Sequence, residues 1–282
     1  MKPVFSLLLA ILMLSATVQN AAFSEEGTKG NCTITFADLS DGYSSSDALP
    51  EELTEVDSFV PEDADKAIFG SDDRITVNNT SGWPFRAIAH MQVMGECGDI
   101  WSGTGFMVGK NQLLTAAHCL ICPEHGKWAF STVFYFGYKN TKNYHYKYTG
   151  DFTAVAGNTF SKGAGYEKQG DFACVVFPSN IGDYTGWFGY RYGMPDQELL
   201  SRTVYAAGYR DGLLKYDYGK LSSVDDEYLN YKIDTVAGNS GGPIFIRDDN
   251  DEYRAVGIII AENSQENTGY RLTKTIFDCF GT

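Results

Sequence analysis

From residue 88 onward the chain alternates short runs of apolar, β-branched and aromatic residues with clusters of Gly, Asn, Asp and Ser. Such runs fall at 88–94, 104–108, 112–116, 132–136, 172–177, 203–208, 229–233, 243–246 and 255–261. They are too short for amphipathic helices, and their turn-rich separators are those of strands in an all-β sandwich or barrel. The 18 Tyr and 18 Phe suit a β-rich core. A helical pattern is expected only near the end, over residues 274–280, and no internal repeat is visible.

The first 66 residues follow different rules. Residues 1–20 carry one basic residue, Lys2, then an apolar core from Val4 through Leu14, then small residues. That is the pattern of a secretory signal peptide, and its core is shorter than the roughly 20 apolar residues of a membrane span. Cleavage is expected between Ala16 and Ala22, giving a secreted, extracellular product with no membrane association after signal removal. Residues 21–66 hold twelve Asp or Glu against two Lys, with Ser44-Ser45-Ser46, two prolines and few aromatics. Such a stretch buries too little apolar surface to offset its ordering entropy. It reads as an acidic linker or as a propeptide, with the propeptide favoured by its position.

The formal net charge of −14 is therefore concentrated outside the β-rich part. Residues 67–282 hold 24 acidic and 19 basic residues, a net of −5. Nothing there is basic enough to suggest a nucleic-acid partner.

Three stretches carry candidate chemistry. In Asp234-Thr235-Val236-Ala237-Gly238-Asn239-Ser240-Gly241-Gly242-Pro243 a serine is flanked by glycines. These allow backbone angles that turn amide groups toward one point. A serine oxygen over converging N–H groups is what acyl transfer needs, namely a nucleophile beside donors for an oxyanion. Alone, the run would equally read as a Gly/Ser loop. Upstream, Leu113-Leu114-Thr115-Ala116-Ala117-His118-Cys119 ends an apolar run on small residues and a histidine. Of the four histidines only His118 has this setting, and imidazole is the usual base for a serine hydroxyl. Between them, Asp171 opens the apolar run Phe172-Ala173-Cys174-Val175-Val176-Phe177, where a carboxylate can hold the imidazole tautomer. The chain order His, Asp, Ser differs from the orders of subtilisin-like and α/β-hydrolase enzymes.

With these residues in view, the chain resembles the chymotrypsin-fold serine proteases and, within them, the glutamyl endopeptidase (V8-like) branch. The similarity covers about 67 to the C-terminus. It includes Ile68-Phe69-Gly70-Ser71-Asp72-Asp73-Arg74, Trp83-Pro84-Phe85-Arg86, Gly186-Trp187-Phe188-Gly189-Tyr190, Arg271-Leu272-Thr273-Lys274 and the Gly-Asn-Ser-Gly form of the serine loop. The resemblance implies two packed six-stranded antiparallel β-barrels, trypsin-like, joined near 185–200 and followed by a short C-terminal helix. It implies a secreted zymogen cut near Lys66 by an activating protease, and a monomer acting on peptide or protein substrates. Neither cofactor nor metal is implied. The roles implied are catalytic for His118, Asp171 and Ser240, oxyanion-binding for the N–H groups of Gly238 and Ser240, and substrate-pocket for Asp234, Thr235 and Ile259. Ile259 stands where that branch carries a histidine that helps bind an acidic substrate side chain. An isoleucine cannot neutralise a buried carboxylate, so strict Glu specificity is not expected. Asp234 stands where trypsin-like enzymes place the pocket acid.

Six cysteines in an exported chain invite pairing in several connectivities. Cys119 is expected to join Cys97, tying the histidine loop to the preceding strand, with Cys122 as the alternative; in relatives the matching cysteine would lie close to Gly103. Cys174 reads as a buried hydrophobe, and Cys32 falls in the acidic stretch. Asn31, Asn78 and Asn79 match the glycosylation acceptor pattern. Two other classes fit part of the pattern: a non-catalytic protease homologue serving as a binding or regulatory module, and an esterase using the same serine.

Overall fold

The structure is a computed structural model that describes residues 35–37, 68–95, 98–121, 128–157, 168–262 and 265–279. All lie in one unit spanning Asn31–Thr282. The first strands in chain order are β1 (Thr35–Ala37), β2 (Ile75–Thr76), β3 (Ile88–Gly95), β4 (Ile100–Met107), β5 (Gln112–Thr115), β6 (Ala129–Phe136), β7 (Tyr146–Tyr148), β8 (Thr153–Ala156) and β9 (Ala173–Val176). After a short helix α1 (Gly182–Thr185) come β10 (Gly189–Tyr190), α2 (Asp196–Ser201), β11 (Val204–Arg210), β12 (Leu213–Gly219), β13 (Leu221–Val224), β14 (Tyr228–Tyr231), β15 (Pro243–Arg247), β16 (Tyr253–Glu262), β17 (Asn267–Arg271) and α3 (Lys274–Cys279).

The strands form two curled antiparallel sheets. One runs β1-β8-β9-β5-β4-β3-β6-β7, the other β13-β14-β17-β16-β15-β11-β12-β2, with β10 beside β16. This is the trypsin-like double half-barrel with a short terminal helix. All nine predicted strands exist, and α3 falls within the predicted helix. The stretch 21–66, from which no order is expected, contributes β1, whose backbone pairs Phe36 with Val155 of β8. Residues 1–20, read above as a signal peptide, and the 66–67 bond lie outside the described residues.

Several apolar runs are continuous rather than alternating because their strands are covered on both sides, whereas β14 alternates buried Leu229 and Tyr231 with half-buried neighbours. β3 and β4 are buried along nearly their whole length, since one face lines the curl of their own sheet and the other meets β11 of the second. Phe188, in the connecting segment, bridges the two: its ring lies 5.9 Å from Phe106 and 5.2 Å from Phe245. A second cluster, with Leu229, Tyr231, Ile244 and Val256, fills the second sheet. In α3, Phe277 packs its ring 5.2 Å from that of Tyr190.

Candidate active site

His118 and Asp171 meet because of strand register. β5 pairs with β9 so that Thr115 lies opposite Ala173, which brings the turn after β5 and the residue before β9 to the same end of the sheet. The turn Ala117–Cys119 is buried throughout, and the small side chains of Ala116 and Ala117 let it fold inward. Asp171, fully buried, accepts twice from His118. Oδ1 takes the backbone N–H at 3.0 Å and Oδ2 takes ring Nδ1 at 2.8 Å. With Asp171 Oδ2 as the acceptor, the neutral imidazole carries its proton on Nδ1 and keeps Nε2 as the acceptor. Burial by itself pushes the imidazole pKa down; the charge and hydrogen bond of Asp171, with Cys119 adding to them, more than reverse it, and His118 stands well above 6.5.

Ser240 lies in the loop between β14 and β15. The loop is tied internally by Asn239 N–H to Val236 O (2.9 Å), Gly242 N–H to Asn239 O (2.9 Å) and Val236 N–H to Asn239 Oδ1 (3.0 Å). It is tied to β16 by Gly241 N–H to Ile259 O at 2.7 Å. Against the first sheet, Thr104 N–H donates to Ser240 O (2.9 Å) and Thr104 Oγ1 to Gly238 O (2.8 Å). Cys119 Sγ, one residue from His118, donates to Ser240 O at 3.4 Å. The serine backbone is thus fastened beside the histidine turn. Gly241 must lack a side chain, because a Cβ there would lie 2.0 Å from Thr104 O. The N–H groups of Gly238 and Ser240 make no hydrogen bond within the described residues, whereas their neighbours at 239, 241 and 242 are all bonded.

The three pocket candidates lie around the same loop. Asp234 is nearly buried, and its carboxylate accepts from Phe69 N–H (2.8 Å) and Asp73 N–H (3.2 Å). Arg74, from the same segment, pairs with Asp72 and reaches Asn239 Oδ1 at 3.3 Å. Thr235 is fully buried and its Oγ1 has no hydrogen-bond partner. Ile259 is fully buried within the apolar cluster of the second sheet.

The expected bridge from Cys119 is not formed. Its thiol is free and buried, and Sγ lies over the middle of β4, where a Cβ on Gly103 would be 2.7 Å away. Cys97 and Cys122 lie outside the described residues. Among those residues no group of three or more His, Cys, Asp or Glu is disposed to hold a metal ion, and no helix is long and apolar enough to cross a membrane. Sequence reasoning missed the roles of Thr104 and Arg210, and it singled out 68–74 without its contact to Asp234, because these contacts leave no local signature.

The fold is that of the trypsin-like peptidases, and comparison with known proteins agrees. The profile described as a trypsin-like peptidase domain matches residues 103–258, and the chain belongs to that family as a serine endopeptidase. It is 30% identical over 227 residues to a glutamyl endopeptidase of Bacillus licheniformis, covering 76% of this chain and 67% of the relative. It is 29% identical over 218 residues to a Bacillus subtilis protein named extracellular metalloprotease, covering 75% and 68%. A solved glutamyl endopeptidase structure superposes with a TM-score of 0.59 at 25% identity, covering 76% of this chain and 97% of the other.

Proposed function

We propose that the chain is a secreted endopeptidase that hydrolyses peptide bonds through an acyl-enzyme on Ser240. His118 Nε2 takes the hydroxyl proton as Ser240 Oγ attacks the carbonyl carbon, and Asp171 holds the ring and stabilises its charged form. The N–H groups of Gly238 and Ser240 receive the oxyanion; one such donor is typically worth about 10²–10³ in kcat. His118 then protonates the leaving amine, and water, deprotonated by the same imidazole, releases the acyl group. The observation that carries this reading is the double grip of Asp171 on His118, at 3.0 and 2.8 Å, beside the loop that presents Ser240. Ser240→Ala and His118→Ala are expected to abolish both peptide hydrolysis and labelling by an active-site phosphonate, with the fold retained. Full activity in either purified variant overturns the assignment.

Residues 1–20 serve as the signal peptide and 21–66 as the propeptide, removed near Lys66 by an activating protease, and the product is a monomer. The leader pattern and the extracellular relative support export; amino-terminal sequencing of the secreted product tests both cuts. At the specificity pocket, Asp234 contributes a carboxylate, while Thr235, with an unpartnered hydroxyl, and Ile259 are fully buried and lend it no charge. With no cation supplied at Ile259, a glutamate side chain meets negative charge without compensation. The pocket therefore favours uncharged or basic side chains. A peptide panel with strong Glu preference at the cleaved residue refutes this.

A further inference from the structure

The peptide unit that carries the Gly238 N–H has an anchor on its other side. Arg210, the last residue of β11, donates from Nη1 to Ala237 O at 3.1 Å. A trans peptide is planar, with its C=O and N–H directed oppositely. Holding the Ala237 carbonyl on Arg210 therefore turns the Gly238 N–H away from β11, to the opposite side of the loop. Gly238 itself has φ +92°, and glycine has no Cβ to resist rotation of this peptide. Its orientation must be imposed from outside. The next carbonyl, Gly238 O, is held in the same way by Thr104 Oγ1. Arg210 is braced by Asp211, whose Oδ2 accepts from Nε at 3.2 Å. A charged donor on the carbonyl also polarises the amide, which strengthens its N–H as a donor.

We propose that Arg210 is a positioning residue that locks the Ala237–Gly238 peptide in the orientation able to bind an oxyanion. The assignment rests on the proposal that Gly238 and Ser240 supply the oxyanion donors. It predicts a penalty confined to states that carry the negative oxygen, because the role assigned to Arg210 acts through the Ala237–Gly238 peptide.

The test compares activated wild type, Arg210→Ala and Arg210→Lys. Readouts are kcat and KM on one peptide, and inhibition by a peptide aldehyde, which forms a tetrahedral oxyanion on the serine, against the matching peptide amide, which does not. Arg210→Ala should lower kcat about 10- to 100-fold, short of outright donor loss, with KM within about twofold. Aldehyde affinity should fall by a similar factor while amide affinity holds, and Arg210→Lys should restore part of both. Should Arg210→Ala fail to fold, Arg210→Gln carries the same measurements. A kcat within about twofold of wild type, or equal weakening of aldehyde and amide, overturns the role of Arg210. Wild type that takes no phosphonate on Ser240 overturns the parent reading and this assignment together; wild type that is labelled leaves only Arg210 in question.

Discussion

Replacing Thr104 by valine removes one hydroxyl and almost no volume, which isolates what that hydroxyl does. Thr104 is fully buried. Its Oγ1 donates to Gly238 O at 2.8 Å and accepts Tyr209 N–H at 2.9 Å, so it joins β4 both to the serine loop and to β11. Valine leaves one carbonyl and one N–H buried without partners, at about 1–3 kcal/mol each. No cavity term is added, so the expected loss is roughly 2–6 kcal/mol, a large share of a typical 5–15 kcal/mol. For a protein of this size that lowers Tm by roughly 4–24 °C. The freed Gly238 carbonyl also loosens the oxyanion peptide, and kcat should fall by about tenfold or more. Thr104→Ser keeps both hydrogen bonds and loses one methyl, worth about 1 kcal/mol. Urea unfolding and steady-state kinetics on the three proteins decide the matter. Thr104→Val within about 0.5 kcal/mol of wild type, or Thr104→Ser as damaging as valine, refutes the reasoning.

Activity requires a neutral His118, and Asp171 holds that imidazole above 6.5, so the acid limb of kcat/KM should have its midpoint above 6.5. Asp171→Asn leaves burial opposed only by Cys119 and should move the midpoint down; a midpoint unchanged or higher refutes the attribution. For stability the sign is opposite: the protonated His118–Asp171 pair contributes below 6.5 and its contribution is lost as pH rises through the raised folded value. His90, buried against Tyr138 and Tyr209 and opposite Tyr135, is lowered to about 4 by desolvation, with Asp211 raising it slightly. Its folded pKa lies below its unfolded one, so stability is lost as pH falls from about 6.5 to about 4, by roughly 3 kcal/mol in all. Chemical denaturation at both pH values should show His90→Gln losing much less than wild type; equal losses refute it. Finally, Gly103→Cys sets a second sulfur beside Cys119 and should form a bridge, seen as a higher Tm and, after denaturation, as two extra titratable thiols released by reductant in the variant but not in wild type. With 103 and 119 enclosing a short loop, a gain of about 1–3 kcal/mol is expected, and a variant in which reductant releases no more thiols than in wild type refutes it.

His118, Asp171 and Ser240 were legible because each occupies a distinctive local setting: a small-residue turn after an apolar run, the mouth of a buried strand, a glycine-flanked loop. The nine apolar strands were legible for the same reason. β17 was not, because its buried positions include Asn267 and Thr268, satisfied in part by Asn267 Nδ2 to Ile233 O at 2.7 Å and by Thr268 Oγ1 to Asn230 Oδ1 at 3.1 Å. Hydrophobic patterning cannot find a strand whose interior is polar and hydrogen-bonded. β12 escaped because most of it is only half-buried. Thr104 and Arg210 act on the serine loop across 134 and 27 residues of chain, and nothing near either residue announces a partner that distant. The cysteine expectation failed for a related reason: spacing along the chain does not say what lies across the sheet from Cys119, and what lies there is Gly103.

β1 precedes the 66–67 bond and β2 follows it. Hydrolysis at that bond would sever the thread between them yet leave Thr35–Ala37 paired with β8. Departure of the amino-terminal piece then becomes a dissociation, sensitive to dilution and mild denaturant rather than to further proteolysis. Once it has left, β8 offers an unclaimed sheet edge on which any extended peptide can lie.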